Sequence, residues 1–302
     1  MKKYLPFFFI LLLAFSFNSC KKEEPSLPPI ISFKIGEMFT KNNSVIMVGH
    51  ALRFGIQAHG ISANITNFTI KKQLEDNSVI TVMDTGLNAN TLDIDKIIYQ
   101  NVEEKVTWLF SVMDRNRMSA QISLMVYKDS NSKFGGIYYY PSIKMGYQNN
   151  SLFGHFLDPS TGEVYFNDSA TNHQDKINLL CYYIVDGTPS PVFSSVGEMD
   201  NGSVEAKMYY PCITNWTKRN YTLWDISVDD NPISGSAFDN AHNDSLIIIG
   251  YHEVWGKKKF KWATTGKVIP FMTKAGKKGL IKVINAETNE NGTIEFALKI
   301  QQ

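Results

Sequence analysis

Apolar runs with a two-residue period are the feature that most restricts how this chain folds. Across residues 294–300 the even positions are apolar, and the odd positions include Glu295 and Lys299. Residues 106–112 repeat the pattern, with Trp108 on the apolar face. Successive side chains of a strand point to opposite faces, so each run predicts a strand with one buried face and one wet face. The pattern also predicts that Trp108 is a core residue.

Similar runs divide the chain into two predicted domains. Residues 30–128 hold six or seven short runs separated by turns, a count typical of an immunoglobulin-like β-sandwich. The polar segment 129–133 marks the boundary, and residues 134–302 form a larger, mostly antiparallel second domain with little helix. Within it, only residues 236–250 have a pattern that allows a helical turn or two before an apolar strand. The predicted fold is all-β, with two β-sandwich domains in tandem.

The first residues have the pattern of an export signal. Lys2 and Lys3 precede an apolar run over residues 5–17, which is too short to span a bilayer, and Cys20 follows soon after. We expect residues 1–19 to be a signal peptide and residues 20–29, rich in proline, to be a stiff, extended tether.

The cysteine at this position gives the segment a family resemblance. The order Asn18-Ser19-Cys20 after the apolar run resembles a lipoprotein signal of the Bacteroidota type. The resemblance implies cleavage before Cys20, lipidation of that cysteine with acyl chains such as palmitate, and an anchor in the outer membrane facing the exterior. The following residues, Lys21-Lys22-Glu23-Glu24, resemble a surface-export signal, and a solvated leash explains them equally well.

The rest of the chain resembles uncharacterised surface lipoproteins of the same bacterial group. The segments 64–70 and 108–114 are similar to immunoglobulin-like or PKD-like spacer modules. Segments 154–165, 172–177 and 276–283 resemble a recurrent second domain of such proteins. This resemblance implies a fold and brings no established activity.

Charge argues against one class of partner. The chain has 30 basic and 29 acidic residues, and loss of the predicted signal peptide removes Lys2 and Lys3. The mature chain then has a formal net charge of about −1, too little positive charge to attract nucleic acid.

Cysteine, histidine and acidic residues give few candidates for metal or redox chemistry. Cys181 and Cys212 form a disulfide or remain buried free thiols, and the sequence leaves both open. The six histidines are not spaced for a shared metal, and we expect no cofactor. Asp229 and Asp230 are minor calcium candidates in an acidic stretch that lacks the usual calcium-loop pattern.

No hydrolase, nucleotide-binding or metalloprotease motif occurs in the sequence, so a non-enzymatic protein is favoured. Aromatic residues are more informative, because sugar rings pack on exposed indole faces. Trp216, Trp224 and Trp255 are the candidate platforms, and core packing is the alternative for each. The lysine-rich stretches at 257–261 and 274–278 are interpreted either as solvated hairpin ends or as surfaces that attract an anionic glycan.

These observations favour capture of a glycan or nutrient by a membrane-anchored surface lipoprotein. The alternative is an adhesion or envelope protein that binds another surface protein through its sheet edges and has no small-molecule site. A glycan-active enzyme ranks third.

Overall fold

The computed structural model describes residues 25–201 and 204–302. The chain is 45% strand and 15% helix, and its strands form several antiparallel sheets. The prediction of a mostly β chain with few helices is confirmed. Among the described residues, no helix is long and apolar enough to cross a membrane.

The chain divides into two compact units, and both are assembled from separate stretches of sequence. Among the described residues, the first unit takes in 25–43, Arg53–Lys96 and Val106–Met125. The second takes in Ser44–Leu52, Ile97–Lys105 and Val126–Gln302.

Eight strands in the N-terminal part of the chain form two sheets. They are β1 (Ile30–Phe33), β2 (Ser44–Ile46), β3 (Ala51–His59), β4 (Ile65–Gln73), β5 (Val79–Ala89), β6 (Thr91–Tyr99), β7 (Lys105–Asp114) and β8 (Ser119–Lys128). One sheet has the order β1-β3-β6 and the other has the order β2-β8-β7-β4-β5. Strand β5 is therefore an edge strand.

The alternation in β7 is confirmed by its burial. The even positions of residues 106–112 are buried, and Trp108 is a core residue as predicted. Phe33 of β1 and Phe54 of β3 belong to the three-stranded sheet. Their rings lie 5.5 and 5.0 Å from the ring of Phe110 in β7. Side chains from the two sheets therefore meet in one aromatic cluster.

Eleven strands form two further antiparallel sheets. They are β9 (Ile137–Gly146), β10 (Phe156–Asp158), β11 (Glu163–Tyr165), β12 (Leu179–Ile184), β13 (Ser190–Ser194), β14 (Thr222–Asp225), β15 (Gly256–Lys257), β16 (Phe260–Lys261), β17 (Val268–Thr273), β18 (Lys278–Ala286) and β19 (Thr293–Gln301). The six-stranded sheet has the order β15-β14-β17-β18-β19-β9, and the five-stranded sheet has the order β11-β10-β12-β13-β16.

Helices are short. The α-helices are α1 (Asn167–Ala170), α2 (Glu205–Tyr209), α3 (Gly235–Asn240) and α4 (Ser245–Gly250). The 3-10 helices are Thr171–His173, Val196–Asn201, Pro211–Asn215, Ile226–Asp229 and Glu253–Trp255.

The five-stranded and six-stranded sheets share one apolar core. Phe193 of β13 lies with its ring centre 5.4 Å from that of Trp224 in β14 and 5.1 Å from that of Phe296 in β19. Phe260 of β16 and Phe271 of β17 belong to the same buried cluster. Burial of such large side chains is the main stabilising contribution in a fold of this kind.

Two predictions are wrong at the outer face of the six-stranded sheet. Lys299 was predicted on the wet face of its strand, but it is only 2% exposed, because α3 covers that end of β19. Its ammonium donates hydrogen bonds to the carbonyls of Phe238 and Ala241. The prediction of an apolar strand at the end of residues 236–250 is wrong as well. Residues 245–250 form helix α4 instead, and its Ile247 packs in a small cluster on this face.

Candidate ligand-binding cleft

A cleft of about 470 Å³ opens where edge strands of the five-stranded and six-stranded sheets lie. Its volume falls in the range of small-molecule sites, roughly 300–1,000 Å³. One short stretch of chain supplies most of its wall. The lining residues are Glu198, Ile226, Asp229 and the six consecutive residues Lys257 to Trp262.

The stretch is fixed by backbone pairing at both ends. Strand β15 pairs with β14 and places Lys257 opposite Trp224. Strand β16 pairs with β13 and places Phe260 opposite Phe193. Since each end of the stretch extends a different sheet, the cleft wall is built on the two sheets rather than on a free loop.

Trp262 is the most unusual residue of the cleft. Its φ is +56°, in the left-handed region that bulky residues rarely adopt. The next residue, Ala263, is fully buried, and its N–H donates to the carbonyl of Pro191 at 3.0 Å. The chain turns sharply to reach that position, and the indole is left 47% exposed. The left-handed conformation costs roughly 1–2 kcal/mol, and strain of this kind concentrates at functional sites.

Three lysines surround the cleft opening without a carboxylate partner. Within residues 25–201 and 204–302, no ion pair includes Lys257, Lys258 or Lys261. The ammonium of Lys258 lies 5.2 Å from the ring centre of Tyr221, a cation–π contact. The segment that leads to Trp262 is thus cationic.

Lys259 differs from its neighbours, because it is paired with two carboxylates, one of them buried. Its Nζ lies 2.7 Å from Glu205 and 3.2 Å from the buried Glu198. Burial alone would lower the pKa of Lys259, but the hydrogen bond to Glu205 and the charge of Glu198 outweigh it and raise the pKa above its usual value. Glu198 also accepts hydrogen bonds from the hydroxyls of Ser194 and Tyr182. Through Glu198 and Lys259, this cluster forms part of the cleft lining.

Of the two calcium candidates, Asp229 has a cationic partner. Asp229 lies 2.7 Å from the ammonium of Lys267, and the ammonium of Lys267 sits over the ring of Phe260. Asp230 follows on the exposed end of the same 3-10 helix. Among the described residues, no three His, Cys, Asp or Glu side chains are grouped to hold a metal ion.

The three predicted tryptophans lie in different surroundings. Trp216 and Trp224 are buried, with their rings packed 5.3 Å from Phe156 and 5.4 Å from Phe193. Neither indole presents a face to solvent, because strand β14 turns Trp224 into the shared core and Trp216, at the end of the 3-10 helix Pro211–Asn215, packs in a second apolar cluster. Trp255 is 51% exposed on the 3-10 helix Glu253–Trp255, two residues before the cleft wall begins. It is the one of the three that a ligand can reach directly.

Asp225, Ser227 and His252 form a hydrogen-bonded cluster that holds the local backbone. The buried carboxylate of Asp225 accepts hydrogen bonds from the hydroxyl of Ser227 and from Nδ1 and the backbone N–H of His252. These donors lower the pKa of Asp225 even though burial alone would raise it. The Ser227 hydroxyl donates to the carboxylate at 2.7 Å and lies 3.5 Å from Nδ1 of His252. Because Nδ1 itself donates to the Asp225 carboxylate, it carries its proton and does not act as a base toward Ser227.

Cys181 and Cys212 are free thiols. Cys181 is buried in the shared core, and burial raises the pKa of its thiol. Cys212 is partly buried beside a second apolar cluster. The sequence left a disulfide and two free thiols open, and in the structure the two thiols are free. Cys20, the predicted lipidation site, lies outside the described residues.

Sequence reasoning singled out the basic stretch and did not select the tryptophan that follows it, Trp262, as a candidate platform. The available signal was the order of the residues: three consecutive lysines, a phenylalanine, a lysine and then a tryptophan. An aromatic residue that directly follows a charged edge strand lacks the alternating apolar neighbours of a core strand. That context distinguishes Trp262 from Trp224.

Comparison with other proteins identifies no family. No model of a known protein family matches the chain, and no curated protein shows significant similarity to it.

Proposed function

We propose that this protein is a membrane-anchored surface protein that captures a saccharide or saccharide-containing nutrient in the cleft lined by Lys257 to Trp262. The observation that carries the proposal is Trp262, a half-exposed indole held in a strained backbone conformation at a concave site. Apolar packing does not account for that position.

The chemistry of the cleft suits a sugar. A pyranose ring has an apolar face that packs on an indole, and its hydroxyls bond to polar groups around the rim. Trp262 supplies the aromatic face, and Lys257 and Lys261 stand at the exposed rim. Trp255 is exposed shortly before this segment and is the proposed second contact for a longer chain.

The location is part of the proposal. Residues 1–19 serve as a signal peptide, and lipidation of Cys20 holds the mature chain at the outer membrane, facing the exterior. A Cys20→Ser variant should leave the membrane fraction. Retention of that variant in membranes would remove the anchor from the proposal.

The proposal includes an arrangement of two β-sandwich domains. We infer an immunoglobulin-like sandwich at residues 30–128 that acts as a spacer, and a second sandwich at 134–302 that carries the cleft. The aromatic cluster around Phe110 supports the first sandwich, and the core around Phe193 supports the second.

A glycan array probed with the full-length protein in detergent tests the binding function. We expect selective binding that Trp262→Ala abolishes and Trp255→Ala weakens. Phe166→Ala is the matched control, because Phe166 is an exposed aromatic residue that does not line the cleft. Absence of binding to any glycan on the array, or equal loss in the control, would overturn the proposal.

One observation favours a second candidate function, binding to another envelope protein. The edge strand β5 exposes Val79, Ile80 and Val82, and it contains no lysine, arginine or proline. Its one charged residue, Asp84, is hydrogen-bonded to Asn67. Lysine, arginine or proline on an edge strand normally prevents pairing with another chain. Because β5 lacks them, it can pair with an added strand, and the proposed partner offers an extended segment.

Crosslinking in intact cells followed by mass spectrometry tests this second candidate. One dominant partner that disappears in an Ile80→Lys variant would support it. Recovery of scattered neighbours only would count against it.

A further inference from the structure

Positive charge around the cleft is not balanced by its own carboxylates. The lining contains four lysines, and three of them lie outside every ion pair of the described residues. These are Lys257, Lys258 and Lys261. Lys257 and Lys261 are exposed, and Lys258 is partly exposed.

Both acidic residues of the lining already have cationic partners. Glu198 is buried and lies 3.2 Å from the ammonium of Lys259, and Asp229 lies 2.7 Å from the ammonium of Lys267. Neither carboxylate is therefore available to neutralise the three remaining lysines. A ligand that supplies negative charge would complete the electrostatics of the site.

We propose that the saccharide taken by this cleft is anionic, and that Lys257, Lys258 and Lys261 hold its carboxylate or sulfate groups while Trp262 packs against a ring face. This inference rests on the proposed function, because it assigns the ligand class of the same site.

The arrangement of the lysines favours a charged chain over a single small anion. Lys257 lies on β15, Lys261 lies on β16 and Lys258 lies between them, so the charges are distributed along the cleft wall. A lysine ammonium is a mobile point charge that accepts varied anion positions, whereas a fixed bidentate site would use arginine. Each exposed contact is weak by itself, and repeated anionic groups along a polysaccharide add several of them.

Binding measurements with matched polymers test the inference. The full-length protein in detergent is titrated calorimetrically with polygalacturonate and with its methyl ester, which has the same backbone without the charge. Dextran sulfate and dextran form a second pair and distinguish sulfate from carboxylate. We expect at least one charged polymer to bind about tenfold more tightly than its neutral counterpart, with the difference shrinking as salt is added.

Two double variants separate the cleft from general electrostatics. The Lys257→Gln/Lys261→Gln variant should lose the preference for the charged polymer. The Lys274→Gln/Lys277→Gln variant removes the same charge from the turn between β17 and β18, outside the cleft, and should keep the preference.

The outcomes are distinguishable from those of the proposed function. Equal affinity for the charged and neutral members of both pairs, equal loss in the two double variants, or no binding to any of the four polymers would overturn the anionic assignment. Saccharide capture itself would still stand if the glycan array showed binding to other sugars that Trp262→Ala abolishes.

Discussion

Tryptophan and lysine each occur in two contrasting settings in the second unit. Trp224 is fully buried in the shared core against Phe193, and Lys299 is buried on the outer face of its sheet beneath α3. In the cleft, Trp262 is half exposed, and Lys257 is exposed and belongs to no ion pair among the described residues. The residue types are the same, and only the backbone placement differs.

The difference shows that placement, more than residue type, separates structural from ligand-binding side chains. A strand in the middle of a sheet buries an aromatic ring on its inner face. The sharp left-handed turn after β16 buries Ala263 instead and leaves the neighbouring indole in solvent. Substitutions at matching residues of the two regions should therefore affect different properties.

The largest effect is expected from Trp224→Ala. The change removes a fully buried ring from the shared core and should lower the free energy of unfolding by about 3–5 kcal/mol. Chemical denaturation monitored by circular dichroism measures this. Trp262→Ala is the matched variant and should cost much less. Equal losses of stability in the two variants would contradict the assignment of Trp224 to the core and Trp262 to an exposed site.

A second prediction concerns the buried lysine. Burial is the main cause that lowers the pKa of Lys299 from 10.5 to about 8. Between these two values the unfolded chain binds more protons than the folded one, so the free energy of unfolding should rise with pH. The rise attributable to Lys299 is about 3 kcal/mol across this window.

Denaturation curves at pH 7.5, 9 and 10.5 measure this rise. A Lys299→Met variant should lose it, whereas Lys274→Met, which removes an exposed lysine, should keep it. If Lys299→Met showed the same pH dependence as the wild type, the ammonium would not be desolvated as the structure indicates.

The smallest effect concerns backbone strain at the cleft. Both Trp262→Gly and Trp262→Ala remove the indole, but only alanine keeps the penalty of a positive φ. The glycine variant should therefore be the more stable of the two by about 1 kcal/mol, the reverse of the usual order in a loop. Thermal unfolding of the two variants measures the difference. An alanine variant at least as stable as the glycine variant would contradict a strained conformation.

The sequence predicted the parts of this fold that depend on local periodicity. The alternation at residues 106–112 and 294–300 identified strands and the faces they bury, and the basic run at 257–261 was recognised as a charged segment. The strand face that carries Lys299 was predicted to be wet, and it is covered instead, because the covering helix is distant in sequence. The cleft itself was not predictable, since it depends on which sheets β15 and β16 extend and on the left-handed turn at Trp262.

Calorimetric titration of the wild type and the Trp262→Ala variant, with the saccharide that the wild type binds best on the glycan array, shows whether the exposed indole holds the ligand. If the cleft captures a saccharide through the exposed indole, the wild type should bind and the variant should lose at least about tenfold in affinity. Its circular dichroism spectrum should match that of the wild type. Binding by the folded variant at wild-type affinity would contradict the account.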